Sequence, residues 1–216
     1  MVRYALAAED KEARREAIVA AARTLFLRDP ERLPSAAAIA TEAGLAKGTV
    51  YLYFETKEEI FMDILHVYRM VTMAAIREAF SPDDRSPAEH IDAFLAAYVA
   101  DIVAHPEILK LESLGYSVLE RNVAQDRLRT YKVALSNALL DAGGAVEASL
   151  GLAAGEGARV LVHSYALTQG LWQALDIPPD CVEMMGEAAA AFLAMDFAEE
   201  LAVSLRRYWS GLPVKR

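Results

Sequence analysis

Apolar positions recur at three- and four-residue spacings through most of the chain, and short polar breaks divide them into a series of predicted helices. Ile18, Ala21, Ala22, Leu25 and Phe26 fall on one face of a helix over residues 11–28. Pro30 and Pro34 interrupt it, and Ser35 is placed to cap a second helix. That helix ends at Ala43–Gly44, where Gly44 suits a left-handed backbone position. A third helix is predicted over residues 46–53. Thr56 and Glu59 have the spacing of a capping box, so a fourth begins beside Lys57. Its apolar series of Ile60, Phe61, Ile64, Leu65, Tyr68 and Val71 carries it toward Phe80.

The segment from Ser81 to Pro87 is the clearest surface break. A fifth helix follows over residues 88–104, a short sixth starts at Pro106, and a seventh over 119–140 stops near Gly143–Gly144. Residues 158–175 and 180–208, separated by Pro178–Pro179, are apolar on more than one face. The second holds Ala188–Ala191, Phe192, Leu193, Phe197, Leu201 and Leu205. Two such faces predict a four-helix bundle built by two copies of the chain, against the alternative that one chain buries both sides.

Alanine, leucine and glutamate dominate and β-branched residues are sparse, so composition also favours an all-α fold. With 55% hydrophobic residues among 216, the chain can bury a large core. The net charge of -9 supplies no general attraction for nucleic acid. Residues 1–66 carry nine Lys/Arg against eleven Asp/Glu, so any DNA binding must come from local geometry and two copies of the contacting element. The single cysteine, Cys181, excludes an intrachain disulfide and suits a reducing compartment. The amino terminus lacks a secretory apolar run, and no segment nears the roughly 18 apolar residues of a membrane span. The expected location is cytoplasmic.

The chemistry sits between residues 35 and 57. Two short helices joined by a tight turn are the means by which a small domain sets a helix in the DNA major groove. Ile39, Ala40, Ala43, Leu45, Val50 and Tyr51 are assigned to the head's core. Lys47 can reach a phosphate or guanine edge, and Thr49 a phosphate or thymine methyl. Gly48 admits DNA closely, Tyr53 can offer its hydroxyl to a phosphate, and Lys57 lies at a helix start where backbone N–H groups favour an anion. An ordinary helical corner with solvent-facing lysines would share this spacing.

From Ala17 to Phe61 the chain resembles the amino-terminal domain of TetR-family transcriptional regulators. The resemblance rests on Ala21–Ala22, Leu25–Phe26, Ile39–Ala40, Ala43–Gly44–Leu45, Lys47–Gly48–Thr49–Val50–Tyr51, Tyr53–Phe54 and Lys57–Glu58–Glu59–Ile60. It implies a three-helix reader over residues 1–56 and a ligand-binding and dimerisation domain over 57–216. It further implies a homodimer through the last two helices, a palindromic double-stranded operator, and repression relieved by a small ligand. Ligand-dependent packing near helices four and six would then reset the spacing of two heads that must match one DNA turn. Three positions depart from the family pattern. Pro30–Glu31 replaces a glycine–aromatic pair. Ala46 replaces a hydroxyl cap, a loss of about 1 kcal/mol. Leu52 stands at a position often polar or basic and DNA-facing in the family, either to meet a thymine methyl or sugar or simply as a less polar replacement.

For an apolar effector pocket with a few polar points, the candidate lining residues are Phe94, Tyr98, Leu111, Leu114, Tyr116, His163, Leu167 and Trp172, all of which serve equally well as core. No cofactor is implied. Four scattered histidines form no His-Glu-x-x-His zinc motif, no nucleophile elbow occurs, and Gly151, Gly155 and Gly157 make no phosphate loop. Enzymatic activity is accordingly not expected. The remaining alternative is a helical dimer that binds a protein or small molecule without touching DNA, for which the acidic balance, Ala46 and Leu52 speak.

Overall fold

The computed structural model describes residues 2–214, and side chains from residue 10 onward apart from those of 116, 179 and 191. Every regular element among them is helical: α1 (Val2–Arg28), α2 (Ala36–Glu42), α3 (Lys47–Val50), α4 (Lys57–Ala79), α5 (Pro87–Ala104), α6 (Pro106–Leu114), α7 (Gln125–Leu150), α8 (Glu156–Leu175), α9 (Pro179–Met185), α10 (Ala190–Leu193) and α11 (Phe197–Ser210). A π turn (Gly115–Leu119) and a 3-10 turn (Glu120–Asn122) lie between α6 and α7. The fold is all-α, as the apolar periodicity predicts.

The chain forms two compact units, one of residues 1–69 with 110–133, the other of 70–109 with 134–216. In the first, Ile18, Ala22 and Phe26 of α1 are buried with Ile39 and Ala40 of α2, Val50 of α3, and Ile60, Phe61 and Leu65 of α4. The Phe26 and Phe61 rings meet at 5.6 Å between centroids. Local chemistry sets the boundaries of these helices. Ser35 caps α2 through its Oγ, which accepts the Ala38 amide at 3.1 Å, and Gly44 takes φ +68° after it. Thr56 Oγ1 accepts the Glu59 amide at 3.2 Å, while Glu59 reaches back to the Glu55 amide at 2.7 Å, one residue earlier than a standard capping box.

In the second unit Phe80, Phe94, Leu161, Leu201, Leu205 and Trp209 form the heart of one core. Trp209 stacks on Phe80 at 5.8 Å and tilts against Phe94 at 5.0 Å. A polar seam crosses this core: the Trp209 indole donates to Ser164 Oγ at 2.9 Å, Thr168 Oγ1 donates to the Ser164 carbonyl at 2.8 Å, and the Tyr98 hydroxyl pairs with Thr168 Oγ1 at 3.1 Å. Each buried hydroxyl of the seam thus has a partner, the condition for polar groups to persist there. Ser86 and Glu89 form the capping box that opens α5, and the hydrogen bonds from Ser86 hold the Glu89 carboxyl below its usual range.

The structure moves several predicted boundaries: α1 already starts at Val2 instead of residue 11, and α7 starts at Gln125 instead of residue 119, after the π and 3-10 turns. The seventh helix does not stop at Gly143–Gly144; α7 runs through both to Leu150. Gly143 is there for close approach, since a Cβ on it would stand 2.5 Å from the Ala158 backbone nitrogen of α8. On Gly157 of α8 a Cβ would stand 2.0 Å from the Gly143 carbonyl oxygen. Two glycines facing each other let α7 and α8 cross at backbone distance. The predicted helix over 180–208 is broken into α9, a 3-10 turn, α10 and α11, with Gly186 at φ +54° and Asp196 capping α11 through the Glu199 amide at 2.9 Å. The third helix is shorter than 46–53, ending at Val50 and continuing as turns.

A pair of substitutions separates the two roles of helical glycine. Gly157→Ala forces the crossing apart and lowers stability by about 1–3 kcal/mol. Gly144→Ala, with nothing within 4 Å of the added carbon, raises it by up to about 1 kcal/mol through helix propensity alone. Equal effects of both in a denaturant titration would contradict the close crossing.

Candidate nucleic-acid interface

The segment 43–57 presents a compact set of side chains in the first unit. The turn after α2 is closed by backbone bonds from the Gly44 amide to Thr41 and from the Leu45 amide to Ala40, at 3.1 and 2.8 Å. Ala46 then enters α3 in an extended conformation and offers its first turn no side-chain acceptor. Lys47 and Gly48 are exposed, with open space over the Gly48 Cα, and Thr49 is half-buried. Val50 is the inward residue of α3 and Phe54 the next, their spacing matching one helical turn.

That register excludes Tyr51 from the core, and the structure leaves it 49% exposed. The expectation that Val50 and Tyr51 both point inward fails because adjacent helical residues diverge by about 100°. Ile39, Ala40 and Val50 are buried, whereas Ala43 and Leu45 are only half-buried. Tyr51 is therefore able to act at the surface, a role the Val50–Phe54 spacing would have revealed. Leu52 is 79% exposed, among the most exposed large apolar side chains of the described residues. A leucine held out in this way, beside a lysine and a tyrosine, suits apolar contact with thymine methyls or sugars. Tyr53 is half-buried. Lys57 is half-buried as well, with its Nζ donating to the Leu33 carbonyl at 3.5 Å and lying 3.9 Å from Glu58. The Arg28 guanidinium grips Glu42 with two bonds at 2.9 and 3.2 Å, joining α1 to the end of α2.

The eight candidate pocket residues do not all fall in one unit. Leu111, buried, and Leu114, half-buried, belong to the first, whereas Phe94, Tyr98, His163, Leu167 and Trp172 belong to the second. The Tyr116 side chain lies outside the described residues. Phe94 packs between Phe80, Tyr98 and Trp209, and Tyr98 is tied to Thr168. Exposed His163 pairs through Nδ1 with the Tyr208 hydroxyl at 2.7 Å, and partial burial raises the Tyr208 phenol above its ordinary pKa. No group of three or more His, Cys, Asp or Glu side chains suited to a metal occurs among the described residues, and none of the described helices is long and apolar enough to cross a membrane.

Known proteins share both parts of this architecture. Residues 18–64 match the family model for bacterial regulatory proteins of the tetR family, and residues 70–216 that for a tetracyclin repressor-like C-terminal domain. Among solved structures, a putative TetR-family transcriptional regulator from Mesorhizobium loti shares 18% identity over 92% of this chain and 96% of its own, with a TM-score of 0.57. A TetR-family transcriptional regulator from Streptomyces coelicolor shares 20% over 94% and 90%, with a TM-score of 0.51. A TetR family transcription regulator from Marinobacter aquaeolei shares 17% over 96% and 99%, with a TM-score of 0.50. At such identities the likeness establishes the fold. No curated protein sequence matches. The two family models together span both the surface-presented helix–turn–helix and the helical body, and the chain belongs to the TetR family of DNA-binding, ligand-responsive transcriptional regulators.

Proposed function

We propose that the protein is a cytoplasmic repressor that binds a palindromic operator as a homodimer and is released by a small, mainly apolar effector. Residues 1–56 are assigned to DNA binding, and 57–216 to effector binding and dimerisation. The observation that carries the DNA assignment is the outward display of Lys47, Gly48, Tyr51 and Leu52 around an inward Val50. Ala46, Thr49, Tyr53 and Lys57 complete the proposed DNA-facing set. Lysines position the head on phosphates, and the exposed apolar residues read base edges.

Pairing through the last two predicted helices, which correspond to α8 and to α9–α11, is supported by apolar side chains left exposed there in the single chain. Val162 and Tyr165 lie on α8, Val203 on α11, and Phe192, Leu193 and Met195 on and just after α10. Burial of such a patch by a second copy is the ordinary source of dimer stability. For the effector, Phe94, Tyr98, Leu167 and Trp172 of the second unit supply apolar surface and a hydroxyl, with His163 a further candidate there and Leu111, Leu114 and Tyr116 separate candidates in the first. The effector acts by favouring an arrangement of the two heads that no longer matches adjacent major grooves.

Lys47→Ala is expected to weaken binding to a duplex selected by the wild-type chain and to lower the salt slope of binding by about 1 for each phosphate no longer neutralised. Lys57→Ala acts in the same direction but less, because its ammonium already serves the Leu33 carbonyl. Fluorescence anisotropy across a salt series measures both. Unchanged affinity and slope in the two variants would remove these lysines from the interface.

A further inference from the structure

Glu59 and Asp63, one turn apart on α4, are 2% and 4% exposed. Two buried carboxylates on one helix face are tolerated only when paired. The partners come from two other elements. Arg15 of α1 and the Tyr131 phenol of α7 both donate to Asp63. Arg127 of α7 joins the two acids, with Nη1 3.1 Å from Glu59 and Nη2 3.3 Å from Asp63, while its Nε donates to the Tyr131 oxygen at 2.8 Å. Two cations thus meet two anions.

The same guanidinium groups reach the DNA-facing segment. The Arg15 and Arg127 carbons lie over the Phe54 ring, 5.4 and 5.8 Å from its centroid. Phe54 is fully buried, and its amide donates to the Val50 carbonyl at 3.1 Å, closing the turn that ends α3. Glu59, beyond its bond to Arg127, holds the Glu55 amide. Thr56 Oγ1 donates to the Asn122 carbonyl at 2.9 Å, a second tie between this turn and the chain just before α7.

We infer that Arg127 is a positioning residue for the reading segment: by neutralising Glu59 and Asp63 and covering Phe54, it fixes where residues 47–55 stand, so that a shift of the first turns of α7 is felt at α3. The functional meaning of this rests on the DNA-binding assignment above; the structural claim does not. A lysine at 127 is a point charge without the planar fork that spans two carboxylates and a ring.

Hydrogen exchange on the full chain tests it. In Arg127→Met, a peptide covering 47–55 is expected to exchange about tenfold faster or more, while one covering 18–26 in the α1 core is unchanged. Arg127→Lys gives a smaller loss of protection confined to 47–55. The double variant E59Q/R127M, which removes the carboxylate charge left over, recovers most of the protection, and affinity for the wild-type-selected duplex follows the same order. Unchanged protection at 47–55 overturns the inference, as does an equal loss in both peptides or a double variant no better than R127M. Should R127M fail to fold, the Arg127→Lys pattern decides, local loss supporting and uniform loss overturning. A wild-type chain that selects no duplex defeats the DNA-binding assignment and leaves exchange to judge Arg127.

Discussion

Replacing Leu52 with glutamate is expected to abolish operator binding while leaving the fold intact. Leu52 is 79% exposed, so the substitution removes almost no buried surface and changes stability by no more than about 0.5 kcal/mol. At a DNA interface the same change sets a carboxylate among phosphates and deletes an apolar surface that meets the bases. Removing one base-edge interaction typically costs about 1–3 kcal/mol, and a dimer on a palindrome suffers it twice. The combined effect is a fall in affinity on the order of 10²–10⁴-fold. Parallel thermal melts and anisotropy titrations of the purified variant provide the check. Wild-type affinity in a folded Leu52→Glu protein would place the DNA elsewhere.

The second large effect concerns Trp209. Its ring is fully buried among Phe80 and Phe94, and its indole N–H satisfies the Ser164 hydroxyl. Trp209→Ala opens a large cavity and removes that donor, a loss of about 3–5 kcal/mol. For a chain of this size, melting falls by roughly 6–20 °C. Trp209→Phe keeps an aromatic ring in place but leaves Ser164 without its donor, so it loses only about 1–2 kcal/mol. The contrast matters because Trp209 holds α11 against α8, the two elements proposed to pair between subunits. The Trp209→Ala dimer is therefore expected to dissociate at higher protein concentrations than the wild type, measurable by sedimentation. A melt within about 2 °C of wild type would show that the seam across this core carries little of the stability.

What the sequence discloses depends on how local the governing interaction is. Ser35 and Gly44 act within a few residues and lie in the structure where their spacing predicts, and Thr56 accepts the Glu59 amide as expected, while the Glu59 carboxylate returns to Glu55 instead of Thr56. Ile18, Ala22 and Phe26 of α1, Ile39 and Ala40 of α2, and Ile60, Phe61, Ile64 and Leu65 of α4 are buried as periodicity predicts, whereas Val71, placed in the same α4 series, is 63% exposed. Gly143 misleads because its purpose is set by Gly157, fourteen positions away, and a helix stop and a close crossing use the same residue type. Tyr51 misleads because α3 is only four residues long, too short for periodicity to decide its inward face; the buried Phe54 beyond it does so. The break of 180–208 into α9, α10 and α11 follows from Gly186 and Asp196, a positive-φ position and a helix cap that an alanine-rich run conceals. In the candidate site, the chemical types of Lys47, Gly48 and Leu52 are plain from sequence, and their exposure is not. Arg127 is invisible to motif reading altogether, since it meets Glu59 and Asp63 across more than sixty residues.

Whether two copies of this chain present segment 46–57 to one face of a duplex is decided by selection from a randomised DNA pool with the 216-residue chain, followed by the mass of the complex formed. The expected outcome is enrichment of a sequence with two-fold symmetry, half-sites about one helical turn apart or a multiple of it, and at least two chains on each duplex. No enrichment, or a single chain bound to a sequence without symmetry, would contradict it.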